Sequence, residues 1–303
     1  MNPSSIAISF QRWLRPTLAP LAWLAASVIA SGDTLYVSFQ NTDTITAYGP
    51  NGVGSYFATT GLTYPNGLRA NPRGLAFDAA GNLYVANIGN NEVEKFTPGG
   101  AASLFNIAMV CCCVAVDLQG NVFVSSDGNN KIYRITPGGT QTVFASTGLN
   151  NVYGLAFDSA GNLFAANYGN STIMKFAPDG SGSLFASNGL SGPIGLAFDH
   201  RGNLFVANND SRTIEKFTPD GASSWFASTD TAAYGLAVDG GNNLYAAIYS
   251  SNEIMKYAPN GAASVFATTS SAPGYIAIVP EPPVCTIAGL SILAAVARRQ
   301  LKR

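Results

Sequence analysis

Charge is what this sequence has least of: Lys, Arg, Asp and Glu together make up 11% of its 303 residues, less than half of the ~25% typical of soluble domains. The 16 Lys and Arg nearly balance the 17 Asp and Glu, and no basic stripe gathers them. That excludes the electrostatic footprint a nucleic-acid binder needs. Histidine is represented once, by His200 inside the turn Asp199-His200-Arg201-Gly202, so a His-plus-carboxylate metal set or a histidine base in a catalytic cluster has almost no raw material. The cysteines are also few. Cys111, Cys112 and Cys113 are consecutive and Cys285 stands alone. Adjacent cysteines meet the geometry of a disulfide poorly, and the C-x-x-C spacing of a zinc site is absent. They are expected to pack as small apolar side chains at the start of a strand. No cofactor is expected.

What fills the chain instead is a repeat. The stretch Gly154 to Ala186 holds four short runs, GLAF, NLFAAN, TIMKF and GSLFA, separated by Asp-x-x-Gly-Asn, Gly-Asn-Ser and Pro-Asp-Gly turn signals. Runs of Phe, Leu and Ile bounded by such turns read as strands. The unit recurs from Leu35, Leu83, Val122, Leu163, Leu204 and Leu244, with a turn glycine at one offset (Gly52, Gly100, Gly139, Gly180, Gly221 and Gly261) and a fourth-strand phenylalanine at another (Phe57, Phe105, Phe144, Phe185, Phe226 and Phe266). A period of about 40 residues built only of strands belongs to the propeller class. The fold class is therefore all-β, a six-bladed β-propeller.

The ends of the array predict how the ring closes. No GLAFD-like run precedes the first copy, and Tyr275 to Val279 matches GLAFD with nothing after it. The N-terminal strands are expected to pair with this C-terminal strand, which removes the open edges that invite aggregation. Between Phe57 and the next copy the repeat stretches, from Ala58 to Pro72. The turn aspartates Asp78, Asp117, Asp158, Asp199 and Asp239 are read as turn formers, because Asp at the first position accepts backbone hydrogen bonds and Gly at the fourth takes positive φ. Strand aromatics are expected to pack between blades. A column of Lys95, Arg134, Lys175, Lys216 and Lys256 recurs too regularly for a ligand site and is given a structural or solubility role.

Three segments follow: a signal peptide over 1–30, the propeller over 31–279 and a tail over 280–303. Arg12 and Arg15 precede an apolar run from Leu18 to Ala30 that ends in small residues, the pattern of an export signal. Short apolar helices are expected at both termini.

A binding site is expected where the second-to-third strand loops share a face with the blade-to-blade connections. The aligned columns place Arg73, Asn87, Asp127, Tyr153, Asn167, Tyr168, Asn208, Tyr234 and Tyr249 around that mouth. Amides and tyrosines with one arginine suit neutral polar ligands, sugars or peptides, so an extracellular glycan or protein is the expected partner. Catalytic residues are not evident.

The blade from Gly74 to Gly100, GLAFDAAGNLYVANIGNNEVEKFTPGG, resembles an NHL repeat, and the similarity runs over most of Gly32 to Val279. That resemblance implies a six-bladed propeller that serves mostly as a binding surface. The same broad group includes gluconolactonases and streptogramin lyases, which hold a divalent metal in the channel; a metal-dependent enzyme of that type is the alternative function. Of this chain, Asn87, Asn167 and Asn208 answer that metal set only in part. The tail, Pro280-Glu281-Pro282 followed by an apolar run from Val284 to Ala297 and then Arg298, Arg299, Lys302 and Arg303, resembles the PEP-CTERM sorting signal. It implies recognition by an exosortase-type membrane enzyme, transient inner-membrane anchoring, and a secreted or cell-surface destination.

Overall fold

The computed structural model describes residues 33–61, 69–107 and 111–279. The signal and tail segments, the terminal helices, Cys285 and the middle of the Ala58 to Pro72 stretch lie outside the described residues.

The chain runs through β1 (Leu35–Phe39), β2 (Thr44–Tyr48), β3 (Gly54–Thr59), β4 (Pro72–Phe77), β5 (Leu83–Asn87), β6 (Glu92–Phe96), β7 (Ala102–Ile107) and β8 (Val114–Val116). Next come β9 (Val122–Ser126), β10 (Lys131–Ile135), β11 (Gln141–Ala145), β12 (Val152–Phe157), β13 (Leu163–Asn167), β14 (Thr172–Phe176), β15 (Gly182–Ala186) and β16 (Pro193–Phe198). It ends with β17 (Leu204–Asn208), β18 (Thr213–Phe217), β19 (Ser223–Ser228), β20 (Ala233–Val238), β21 (Leu244–Ile248), β22 (Glu253–Tyr257), β23 (Ala263–Thr268) and β24 (Ile276–Ile278). They form six antiparallel four-stranded sheets, the blades of a propeller. Blades II to VI each take four strands in chain order, starting at β4, β8, β12, β16 and β20. Blade I has the order β24-β1-β2-β3, with Leu35 facing Ile278 and Val37 facing Ile276. One short 3-10 turn, Tyr168–Asn170, is the only helical element among the described residues.

Each second strand is buried on both faces, which is why it reads as an unbroken apolar run rather than an alternating one. In β13, Leu163 and Ala165 join the cluster shared with blade III, while Phe164 and Ala166 join the cluster shared with blade V. The same division holds around the ring. Six apolar clusters are each split between two neighbouring blades, among them one joining Tyr245 and Ala247 of blade VI to Leu35, Val37 and Tyr48 of blade I. The core is thus a set of seams. Their aromatic rings meet edge to face: Phe164 lies 4.9 Å from Phe185 in its own blade and 4.9 Å from Phe198 in the next, and Tyr36 stands in the same relation to Phe57 and Phe77. Such geometry adds about 0.5–1.5 kcal/mol per pair beyond burial.

The turns confirm their chemistry. Asp158 Oδ1 accepts from the backbone N–H groups of Ala160 and Asn162, and Oδ2 from the Asn162 amide; Gly161 has φ +80°. In blade VI Asn242 replaces that glycine and still takes φ +60°, a conformation asparagine tolerates better than other side chains. The lysine column also finds its role. Lys95, Lys175 and Lys256 pair with the turn aspartates Asp78, Asp158 and Asp239 at 3.6–4.0 Å, and with Lys216 they lie 5.1–5.4 Å from the ring centroid of the second-strand aromatic.

Towards the axis, backbone replaces side chains. A Cβ on Gly154 or Gly195 would collide with the carbonyl of Ile194 or Tyr234 on the adjacent inner strand, and one on Gly74 or Gly235 with the backbone of Cys113 or Tyr275. These glycines are needed for close approach, not for positive φ. Gly154→Ala is therefore expected to lower stability by about 1–3 kcal/mol, whereas Gly138→Ala, which meets only open space and the Thr136 hydroxyl 3.9 Å away, should stay within about 0.5 kcal/mol. Chemical-denaturation midpoints of the two variants check this; equal effects would refute the crowding.

Candidate functional site

Where the inner strands begin, the crowded axis opens into a mouth lined by aromatic and polar side chains. Cys112, Cys113, Ile194 and Tyr275 form a buried floor, and Tyr153, Tyr168 and Tyr234 pack on it from the rim. Beneath this floor the channel keeps a cavity of only about 50 Å3, walled by Gly74, Gly154 and Gly195 with Cys113, Leu236 and Tyr275.

Arg73, just ahead of the glycine in β4, reaches over the floor. Its Nη1 donates to Cys112 Sγ at 3.6 Å, and its guanidinium carbon lies 5.7 Å from the centroid of the Tyr153 ring. The Tyr153 and Tyr168 rings are 5.6 Å apart, and those of Tyr234 and Tyr249 are 4.9 Å apart. Tyr168 Oη donates to Asp210 Oδ1 at 3.1 Å. The mouth therefore brings together Arg73, Tyr153, Tyr168, Tyr234 and Tyr249 from the sequence-based set. Asp127 is half-buried there, close enough to Cys112 and Tyr153 to act on their ionisation.

The three asparagines are placed differently. Asn167 accepts from the backbone N–H of Asn150 and donates to the Gly148 carbonyl and the Thr172 hydroxyl. Asn208 repeats this with Ser191, Gly189 and Thr213. Both amides are buried and brace the preceding connection, leaving no hydrogen-bonding capacity of theirs evidently open to a ligand. Asn87 is also fully buried, with its amide unpartnered.

Several mouth atoms are buried without a hydrogen-bond partner: Gln40 Nε2, Arg73 Nε, Asp127 Oδ1 and Tyr275 Oη. Tyr275 Oη sits beside Cys113 but makes no well-formed hydrogen bond. Unanswered polar atoms are uncommon in folded interiors, because each costs about 1–3 kcal/mol. Gln40 shares the aligned column of Asp127, Tyr168 and Tyr249 but is not among the residues expected at the mouth, and Tyr275 lies outside the rim columns. The departure of Tyr275 from the glycine of GLAFD was the available signal.

Burial pushes the Cys111 thiol up to about 12. Burial, reinforced by Cys113, holds Cys112 well above the ordinary range. Burial likewise raises Tyr153 and Tyr275, whereas Tyr168 is raised chiefly by its hydrogen bond to Asp210. The Cys111 and Cys112 thiols are thus poor nucleophiles and poor metal ligands near neutral pH. Among the described residues no three His, Cys, Asp or Glu are grouped to hold a metal ion. Of the side chains lining the waist of the channel, beneath the floor, only Cys113 and Tyr275 carry a sulfur or oxygen atom and none is a carboxylate, amide or imidazole, so the residues present do not fit the divalent metal that the family resemblance implies.

No known family profile and no curated protein matches the sequence. Solved structures do match. One chain of a nidogen–laminin complex superposes with a TM-score of 0.73 at 19% identity, over 83% of this chain and all of that one. A catalytically inactive virginiamycin B lyase from Staphylococcus aureus, solved with quinupristin, gives 0.62 at 15% identity, over 83% of this chain and 94% of the other. A gluconolactonase from Xanthomonas campestris gives 0.61 at 22% identity, over 67% and 78%. At these identities the likeness is one of fold.

A raised phenol pKa stabilises the fold fully below the unfolded value near 10 and loses that contribution as pH climbs through the higher folded value. Melting temperature is therefore expected to fall steeply above about pH 10, and Tyr275→Phe should flatten the fall while leaving neutral-pH melting close to wild type. An unchanged alkaline slope in Tyr275→Phe would show that this phenol is not held protonated by burial. The fold itself, an all-β six-bladed propeller with structural neighbours of the NHL and lactonase type, is the conclusion these comparisons support.

Proposed function

We propose that this chain is an exported propeller that acts outside the cell as a binding module, taking a neutral polar ligand, a glycan or a peptide segment, at the tyrosine-lined mouth. The observation that carries the reading is the mouth itself. Four rim tyrosines surround a floor where Gln40 Nε2, Arg73 Nε, Asp127 Oδ1 and Tyr275 Oη lack partners. Stacking faces plus unanswered donors and acceptors recognise sugar rings and amides, and no charge cluster is present to select an ionic ligand.

Export is supported by Arg12, Arg15 and the apolar run to Ala30, and sorting by Pro280-Glu281-Pro282 with its apolar run and basic end. On this reading an exosortase-type enzyme handles the tail during transient membrane anchoring. The pairing of β24 with β1 serves as the latch of the ring, just ahead of the sorting motif.

Binding is tested on a glycan and peptide array with the secreted protein. Tyr168→Ala and Tyr234→Ala are each expected to weaken a bound ligand by roughly fivefold or more, since truncating a tyrosine that anchors an interface costs upward of about 1 kcal/mol. Retained binding in both variants would move the site away from the mouth. Mass spectrometry of the mature protein is expected to show an N-terminus at Ser31 and loss of the apolar tail; an intact Met1 would overturn export by cleavage.

A further inference from the structure

The seam between blades III and IV differs from its neighbours on the face opposite the mouth. It holds a cavity of about 520 Å3 whose wall includes Phe123, Phe144, Phe157 and Arg134 together with the turn aspartates Asp117 and Asp158. That volume lies within the ~300–1,000 Å3 of small-molecule sites. The corresponding cavity one seam on measures about 280 Å3, and there Lys175 lies over the Phe164 ring and pairs with Asp158.

In blade III an arginine takes the lysine's place, and the pattern breaks. Among the described residues Arg134 forms no ion pair and stands over no ring. Its Nε is buried with no hydrogen-bond partner. Nearby carboxylates do not answer it. Asp117 accepts from Gln119 and Asn121 within its own turn, and Asp158 accepts from Ala160 and Asn162 while pairing with Lys175. What remains open is a guanidinium beside three phenylalanines, with Phe123 4.9 Å from Phe144 and 5.1 Å from Phe157. At the edge Leu118 is 86% exposed, in a turn position that Ala79, Ser159, His200 and Gly240 occupy in other blades.

We propose that this cavity is a second binding site, for a small aromatic carboxylate whose ring packs among Phe123, Phe144 and Phe157 and whose carboxylate is held by Arg134. The guanidinium fork favours a carboxylate over a hydroxyl or amide, since the charge-assisted pair is about twice as strong as a neutral hydrogen bond. The three rings favour a flat apolar body over a sugar. The site is separate from the mouth and does not depend on the function assigned to it.

Phenylacetate and its uncharged analogue 2-phenylethanol test this by NMR titration of the propeller. Phenylacetate is expected to saturate resonances of blades III and IV below about 10 mM, with 2-phenylethanol roughly tenfold weaker. Arg134→Gln should abolish that preference, and Tyr168→Ala at the mouth should leave it intact. Absence of saturation, equal binding of the two compounds, or shifts confined to the mouth would each overturn the proposal. If Arg134→Gln fails to fold, the wild-type comparison of the two compounds decides alone.

Discussion

Contact between blades is the constraint on which the rest of this structure depends. A four-stranded sheet exposed on both sides has nothing to bury its second strand against, and here every second strand is apolar on both faces. Each of the six seam clusters is divided between two neighbouring blades. With each buried aromatic contributing about 1.5–3 kcal/mol, a blade owes most of its stability to its neighbours. The lysines over the second-strand rings extend the same logic to the surface, shielding an aromatic face while neutralising a turn aspartate.

The same packing decides where ligands can go. Inner strands approach so closely that glycine is required at the contact, and Cys113 and Tyr275 fill the remaining space at the waist. The depth of the channel keeps a cavity of only about 50 Å3. The sites proposed above accordingly lie at the mouth above the floor and at the end of one seam. The backbone superposes on a virginiamycin B lyase and a gluconolactonase, and among the described residues no three His, Cys, Asp or Glu are grouped to hold a metal ion.

Much of this was legible in the residues. The offsets of Leu163, Pro178 and Phe185 and their counterparts reveal the blade and its number of copies, because a repeated seam forces a repeated spacing. Turn aspartates were equally plain, since their chemistry is local. The asparagines were not: a polar residue at the end of a buried strand reads the same whether it faces a ligand or braces a loop, and only the partners of Asn167 and Asn208 distinguish the two. Tyr275 lies outside the aligned columns that point to the mouth, Gln40 stands within one of them but resembles any polar loop residue, and the open guanidinium of Arg134 is hidden inside a column of lysines whose role is structural. Such differences depend on the third dimension, where one substitution leaves a gap that the repeat elsewhere fills.

If the seams carry the fold, the blades must open together. Native-state hydrogen exchange measures this directly, through the amides of the second strands around the ring, from Val37 in blade I to Ala246 in blade VI. The account predicts one shared free energy of opening, equal to that of global unfolding, for all six. Exchange of blade I at a free energy well below that of blade IV would show that a blade can leave the ring alone, and would contradict it.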